Sequence, residues 1–347
     1  MKSHSIILLI ISAFVLLALV LFVFASLLFP AYRIYHGPAH DRTGINELDQ
    51  ILLEQIDQRI RSALVNYNYI NAALVHDGQI VLSKSYGHDR LDKVDVYASV
   101  SKPVTAMILL QLLQEGRFGS LDDDIAKYHP KYREVIPQEY ADTHITFKQI
   151  LTHTSGVPHL SKLWDGPKLK MDFRPGEGVQ YSSNGYGILG DVMEEITGKS
   201  YNQLVKDYIS EPIGAKSFTV LIPAFLAPAG QVASTIEDMA RFAIAVMDGQ
   251  YVSTDMLCNE VLKQYAKDQY GVIGLGWYCT NLDAPELAGY HAGSNGRPRA
   301  FLAIIPHKKN AIALTGLNRS KKNAQEFGEL TIDLMAIIEN RYTDDPQ

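Results

Sequence analysis

Ser99 and Lys102 are the first residues whose types and spacing suggest chemistry. They stand three positions apart in the segment YASVSKP of residues 97–103. An i, i+3 pair shares one face of a helix, so the Lys102 amine can reach the Ser99 hydroxyl. Burial lowers the pKa of a lysine, and a neutral amine accepts a serine proton near neutral pH. The pair predicts a serine nucleophile with a lysine base; the competing interpretation is a capping serine beside a solvated lysine.

The element that must carry this pair is a helix that begins near Pro103. Residues 104–113 contain only two polar side chains, so the helix is apolar on nearly every side and should lie in the interior. Pro103 suits a first helical turn, and Gly116 stands where helices commonly end. We expect Ser99 and Lys102 at the exposed lip of this core helix, whose N-terminus favours negative charge developing on the serine.

Composition and charge restrict the class of protein. The chain has 347 residues, 47% hydrophobic and 20% charged, enough for a domain of roughly 300 residues with a substantial core. The net charge of −6 comes without long runs of one sign, which excludes nucleic acid as a main partner. The sequence has neither a Gly-x-Ser-x-Gly elbow nor a His-Glu-x-x-His zinc motif, and we expect no metal and no cofactor. The redox state of Cys258 and Cys279 stays open.

The N-terminal segment is apolar. Ile6–Phe29 is 24 residues without a charge, long enough to cross a membrane, although a removed signal peptide is the alternative. We predict a transmembrane anchor or signal segment at residues 1–30, a linker at 31–46 and one domain at 47–347. A short N-terminal tail favours a single-pass membrane protein with its domain on the extracytoplasmic, periplasmic side.

Hydrophobic periodicity predicts strands at both ends of the domain and helices between them. Asn71–Val75 and Gln79–Tyr86 should form a hairpin through Asp77-Gly78. Further strands are predicted at Leu275–Cys279, Gly289–Gly293, Arg299–Ile305 and Asn310–Gly316, and helices at Ile145–Leu151, Ile188–Ile196, Ser234–Met247 and Glu326–Ile338. This order predicts an α+β fold: an antiparallel sheet built from both chain ends, flanked by helices, with a mainly helical insertion.

Several motifs in one order resemble a known family. They are ASVSKP at residues 98–103, LTHTSGVP at 151–158, RPG at 174–176, YSS at 181–183, STIEDM at 234–239 and HAGS at 291–294. Over about residues 47–338 the chain resembles the serine β-lactamase-like hydrolases, the group of class C β-lactamases, penicillin-binding DD-peptidases, D-aminopeptidases and related esterases.

The resemblance implies roles for particular residues. Ser99 would be the nucleophile, Lys102 its activating partner and Tyr181 the second proton-transfer residue; without the resemblance, Tyr181 would be one buried tyrosine among 19. The backbone N–H groups of Ser99 and Ser294 would form the oxyanion hole. A Tyr181 hydroxyl beside a cationic Lys102 should have a lowered pKa. His153, in a turn-rich loop, is predicted to bond to backbone rather than to take part in catalysis.

The implied substrate-binding residues are Ser183, His291, Gly293 and Ser294, and two of them depart from the family pattern. The pattern is usually Tyr-x-Asn, but Ser183 occupies the third position and its side chain is shorter than an asparagine amide. His291 stands where many relatives have the lysine of Lys-Thr-Gly, and a histidine is charged only part of the time near neutral pH. Arg297 or Arg299 could supply the missing charge.

The predicted function is hydrolysis through an acyl-enzyme. The substrate would be a small-molecule or peptide ester or amide, with D-amino acid and cell-wall-type substrates included by the resemblance. The two departures favour esters or peptides over penicillins. The alternative is a β-lactam sensor without turnover, or a scaffold protein that has kept the fold.

Overall fold

A computed structural model describes residues 47–87, 90–280, 287–320 and 325–340 of the chain. The predicted membrane span at residues 6–29 and the linker at 31–46 lie outside these residues. Within the four described ranges, no helix has the length and apolar character needed to cross a bilayer.

One large antiparallel sheet organises the domain. The strands are β1 (Tyr67–His76), β2 (Gln79–Gly87), β3 (Asp95–Val96), β4 (Trp164–Asp165), β5 (Lys168–Leu169), β6 (Thr219–Val220), β7 (Val232–Ser234), β8 (Ala266–Lys267), β9 (Val272–Ile273), β10 (Tyr278–Cys279), β11 (Gly289–Ser294), β12 (Pro298–Ile305) and β13 (Asn310–Asn318). Eight of them form the sheet in the order β2-β1-β13-β12-β11-β10-β9-β8. Because β1 pairs with β13, the sheet joins the two ends of the domain, as predicted.

The predicted hairpin is confirmed. β1 and β2 are antiparallel neighbours joined through Asp77 and Gly78, with φ values of 47° and 72°. Left-handed backbone at both central positions gives the turn the twist that two antiparallel strands require, and Asp-Gly supplies it at low cost.

The helices cover both faces of the sheet and fill the insertion. They are α1 (Glu47–Ala63), α2 (Ser101–Gln114), α3 (Lys131–Glu134), α4 (Phe147–Leu151), α5 (Ser183–Thr197), α6 (Tyr201–Val205), α7 (Ala227–Gly230), α8 (Ile236–Met247), α9 (Thr254–Met256) and α10 (Gln325–Asn340). The first and last of these helices, α1 and α10, pack together over one face of the sheet, and α8 packs against β1 and β13. The α+β architecture with a mainly helical insertion is confirmed.

Helix α2 lies in the core, as its composition predicts. Nearly all of its residues are buried, and α5, α6 and α7 pack around it. Two details differ from the expectation. Ser99 lies in a 3₁₀ turn, Ala98–Val100, directly before the helix. Lys102 is fully buried rather than at an exposed lip, because α7 covers its amine.

Candidate active site

A strained turn presents Ser99. Ala98 has a φ of 45°, a left-handed conformation that costs a residue other than glycine roughly 1–2 kcal/mol. The turn is held against β11, where a Cβ on Gly293 would lie 2.2 Å from the Tyr97 carbonyl oxygen. Only glycine allows this close approach, so Gly293 sets the spacing between the Ser99 turn and β11. Ser99 itself is half-buried.

The Lys102 amine lies among three oxygens. Its Nζ is 2.9 Å from the Ala229 carbonyl oxygen, 3.3 Å from Ser183 Oγ and 3.4 Å from Ser99 Oγ. Burial lowers the pKa of Lys102 to about 7, as predicted. A neutral amine has two N–H donors and one lone pair. With Ala229 and Ser183 as acceptors, the lone pair remains to accept the Ser99 proton.

Tyr181 stands over this amine. The Lys102 Nζ lies 4.6 Å from the centroid of its ring. Burial raises the pKa of Tyr181 above its usual range, and the hydrogen bond with Ser99 opposes this only in part. The expectation of a lowered Tyr181 pKa is therefore wrong. The low pKa of Lys102 means that the amine is not a fixed cation that could stabilise a phenolate. Near neutral pH Tyr181 is a protonated phenol, able to donate a proton.

Two histidines hold the backbone that carries Tyr181. His153 is buried, and its Nδ1 accepts the Ser182 N–H at 3.1 Å. Its pKa is well below the usual value because of burial first and the Lys102 charge second. The prediction that His153 bonds to backbone is confirmed. The Nδ1 of His159 accepts the Ser183 N–H at 3.2 Å, a contact for which the sequence carries no signal.

Ser183, not Asn184, faces the reacting groups. Helix α5 begins at Ser183, and the Asn184 amide turns away to donate to the Ser161 carbonyl oxygen at 3.2 Å. The one-residue displacement of asparagine therefore removes its amide from Lys102, and the shorter Ser183 hydroxyl takes that place. The Ala229 carbonyl is another site component that sequence reasoning missed.

His291 contributes no positive charge near neutral pH. It is buried, and its ring donates from Nδ1 to the Ala292 carbonyl oxygen at 2.8 Å. Burial, with a smaller effect of the Lys102 charge, lowers the pKa of His291 to about 3. The expectation of a partly charged histidine is therefore wrong. Its ring instead faces Tyr181, with 6.2 Å between the centroids.

Of the two arginines considered from the sequence, Arg299 lies at the cavity. Its side chain is 4% exposed, and its Nη1 donates to Ser294 Oγ at 2.9 Å. Arg297 instead donates from Nε to the Asn318 carbonyl oxygen at 2.8 Å. A fixed cation thus stands directly beside Ser294, the residue that the family resemblance places in the oxyanion hole.

These groups surround one cavity of about 810 Å³. Its polar lining includes one residue that the sequence did not single out, His159, and six that it did: Ser99, Tyr181, Ser183, His291, Ser294 and Arg299. Tyr278, Tyr290 and Phe301 add an aromatic wall, in which Tyr290 and Phe301 are nearly parallel at 6.2 Å. Cys258 and Cys279 lie outside this lining and are free thiols. The sequence-predicted site residues therefore line one space, except Lys102, which is fully buried with its Nζ 3.4 Å from Ser99 Oγ.

The geometry agrees with a comparison against protein families. A family model described as Beta-lactamase matches residues 54–329. The chain belongs to the β-lactamase family. The match spans the Ser99 turn, the Tyr181 segment and β11, so it includes every wall of the cavity described above.

Similar proteins show how far the likeness extends. The D-alanyl-D-alanine-carboxypeptidase/endopeptidase AmpH of Escherichia coli K12 is 30% identical over 331 residues, which cover 76% of this chain and 84% of AmpH. Protein flp of Staphylococcus aureus MW2 is 29% identical over 191 residues, and that match spans only 38% of flp. The D-amino acid amidase of Ochrobactrum anthropi SV3 has the same fold, with a TM-score of 0.70 and 18% identity over 84% of this chain and 99% of the amidase.

A buried carboxylate ties the nucleophile segment of this β-lactamase fold to the large sheet. Asp95 on β3 accepts hydrogen bonds from Tyr69 at 2.8 Å, Asn71 at 3.0 Å and Thr315 at 2.7 Å. The Lys93 ammonium lies 3.2 Å from the same carboxylate. Because β3 leads directly into the Ser99 turn, these bonds fix the turn against β1 and β13.

We expect Asp95→Ala to lower the free energy of unfolding by about 3 kcal/mol, since it leaves several buried donors without their acceptor. Urea unfolding followed by the fluorescence of buried Trp277 measures the loss. The control is Asp92→Ala, which among the described residues removes an ion pair with the exposed Arg90 and should leave the midpoint nearly unchanged. Equal midpoints for the two variants would contradict the prediction.

The pKa values also predict how activity depends on pH. Lys102 must be neutral to accept a proton, so kcat/KM should rise with pH around a midpoint near 7. His291, with a pKa of about 3, stays neutral above pH 5 and adds no second inflection to the pH–rate profile there. The raised Tyr181 pKa keeps the phenol protonated, so activity should hold to at least pH 9. A pH–rate profile of kcat/KM that falls between pH 7 and 9 would refute this assignment.

Proposed function

We propose that this chain is a serine hydrolase that cleaves an ester or amide bond through an acyl-enzyme. The observation that carries the proposal is the buried Lys102 amine, whose pKa of about 7 and position 3.4 Å from Ser99 Oγ suit a base. The free-energy cost of burying an amine is consistent with a role that needs its neutral form.

The geometry supports a two-step reaction. Neutral Lys102 accepts the Ser99 proton while Oγ forms a bond to the substrate carbonyl carbon, and the backbone N–H groups of Ser99 and Ser294 stabilise the oxyanion. Tyr181 donates its proton to the leaving oxygen or nitrogen as that bond breaks, and Lys102 then returns a proton to Tyr181. In the second step water attacks the ester carbonyl and gives one proton to Lys102, and Lys102 passes this proton to Ser99 Oγ as the bond between the carbonyl carbon and Oγ breaks and the acid product leaves.

For the substrate class we propose carboxylic esters and amides, with D-amino acid and cell-wall-type peptides as the finer candidate. The names of AmpH and of the D-amino acid amidase support the finer candidate. The Arg299 cation beside Ser294 favours a substrate that carries a carboxylate. The neutral His291 and the short Ser183 side chain argue against efficient penicillin hydrolysis.

The test is labelling of the purified full chain by a fluorophosphonate probe and by a fluorescent penicillin. We expect the first probe to label the wild type and the Ser161→Ala control, which changes an exposed serine, but not Ser99→Ala. Turnover is then measured on p-nitrophenyl esters, D-amino acid amides and nitrocefin. If neither probe labels the chain, the result assigns it to the scaffold alternative. If the chain is labelled but turns over none of the substrates, the result assigns it to the sensor alternative.

The apolar run at residues 6–29 supports the further proposal that the domain is tethered to a membrane on its extracytoplasmic side. Retention of the full chain in the membrane fraction after a high-salt wash, together with sensitivity of the domain to external protease, tests this. Release into the soluble fraction would contradict tethering.

A further inference from the structure

The segment between β6 and α7 exposes an unusual run of apolar side chains. All five residues of Leu221–Phe225 are exposed, including Ile222 at 46% and Phe225 at 40%. A run of this length on the surface is costly unless it has a function. Trp164, on β4, is 38% exposed on the same side of the molecule.

These residues line a groove rather than a flat patch. Trp164, Ile222, Phe225 and Leu226, with Leu163 and Ala224, border a space of about 670 Å³, which we call the apolar groove. The two charged side chains at its rim, Lys131 and Asp191, form an ion pair with each other. They therefore neutralise each other rather than offering an isolated charge to a polar ligand. The lining suits a hydrocarbon chain.

The apolar groove begins where the Ser99 cavity ends. Leu226 and Gln231 line both spaces. Phe225 is fixed in place because its ring packs onto Gly187 of α5, where a Cβ would lie 2.5 Å from the ring. This wall of the groove is thus formed before any ligand arrives, and the groove shares part of its lining with the cavity of the reacting serine.

The position of Tyr181 decides which part of a substrate reaches the groove. Tyr181 would protonate the leaving group, and its ring packs most closely on the rings of His153 and His159, with centroid distances of 4.4 and 5.2 Å. The leaving group therefore belongs beside this pair of rings. The lining that the cavity shares with the apolar groove, Leu226 and Gln231, belongs to a different segment of the chain, so the acyl group would extend from the reacting serine along these two residues into the groove.

We infer that the apolar groove binds a long apolar acyl chain, so that esters and amides with such a chain are preferred over those with a short one. This inference rests on the proposed serine hydrolase function. Each methylene that leaves water on binding contributes up to about a fourfold gain in affinity. The gain appears in kcat/KM if the chain is bound in the transition state.

A series of p-nitrophenyl esters from acetate to decanoate, given to the purified full chain, tests the inference. We expect kcat/KM to rise steadily with acyl length. Trp164→Ala and Ile222→Asp, which change exposed positions, should each lower the decanoate-to-acetate ratio of kcat/KM by about tenfold. The matched control is Ile332→Ala, which removes an apolar side chain that is 67% exposed on α10 and should keep the wild-type ratio.

The failures of the two proposals are distinguishable. Ester hydrolysis that depends on Ser99 but is the same for all chain lengths would overturn the acyl-chain inference and leave the hydrolase proposal standing. Hydrolysis that persists in Ser99→Ala would instead overturn the hydrolase proposal. A rise with chain length that neither groove variant reduces would show that the chain binds elsewhere, which also overturns the inference.

Discussion

Replacing Lys102 by methionine should lower kcat/KM by about a thousandfold, since a positioned general base contributes on the order of 10² to 10⁴ in rate. Methionine is similar in length and needs no hydrogen-bond partner, so the core can accept it. Lys102→Arg should be equally inactive, because a guanidinium does not give up its proton. The control is Lys127→Met, which removes an exposed lysine that forms an ion pair with Asp123 and lies over the Tyr128 ring, away from the cavity.

The same Lys102→Met variant should be more stable than the wild type below about pH 9. The Lys102 pKa is about 7 in the folded protein and 10.5 in the unfolded chain, so between these values the unfolded state binds the extra proton. Wild-type stability must therefore rise with pH from about 7 to 10.5, while the variant lacks this rise. Urea midpoints at pH 6.5 and pH 9.5 check it. If the difference in urea midpoint between Lys102→Met and the wild type grew with pH, a buried lysine with a lowered pKa would be excluded.

Tyr181→Phe should have an effect that depends on the leaving group. For an amide or an alkyl ester, kcat/KM should fall by about a thousandfold, because the leaving atom must receive a proton. For a p-nitrophenyl ester the loss should be about tenfold, since p-nitrophenolate departs without protonation. Steady-state kinetics on the two substrates measure the ratio.

Tyr186→Phe is the matched control for this prediction. Tyr186 is also a buried tyrosine near Lys102, but its hydroxyl donates to the Leu151 carbonyl oxygen at 3.2 Å. Loss of this hydrogen bond should destabilise the fold slightly and change kcat/KM for both substrates by the same factor. If Tyr181→Phe also reduced both rates by the same factor, Tyr181 would be a positioning residue rather than the proton donor.

The parts of the fold that local sequence chemistry determines were predictable. The Asp77-Gly78 turn and the wholly apolar α2 are examples, because each depends on neighbouring residues alone. Hydrophobic periodicity predicted that helix α5 begins at Ile188. In the structure the helix begins earlier, at Ser183. The glycines of its first turns weaken the helical pattern, and the Ser182 side chain caps the helix by accepting the Gly185 N–H at 2.8 Å.

Other boundaries depend on tertiary contacts. The predicted strand at Leu275–Cys279 is reduced to β10 at Tyr278–Cys279. Gly276 has a φ of 81° and packs so closely on α2 that a Cβ would lie 2.5 Å from the Ala106 methyl group. A glycine in this conformation ends the strand, and only the packing of distant segments shows why it is there.

In the site, the sequence indicates which side chains meet but not their electrostatics. The order of motifs led to Ser99, Lys102 and Tyr181, which the structure brings together. The direction of the Tyr181 pKa shift and the charge of His291 were both wrong, because both depend on the depth of burial. Residue type alone gives no measure of that depth. Burial also lowers the pKa of Lys102, and this changes the charge that the side chains around its amine experience.

The pairing of β1 with β13 has a consequence for how the molecule is made. Ala73 and Ala313 are register partners 240 residues apart, so the loop between them must close before the centre of the sheet exists. Contacts this distant slow folding and leave strand edges unpaired in incomplete chains. A nascent chain that ends before Asn310 therefore already carries the serine and the lysine but lacks the strand that completes the sheet between β1 and β12. Chemical competence can arise only once nearly the whole polypeptide has been synthesised, and shortened translation products should aggregate rather than react.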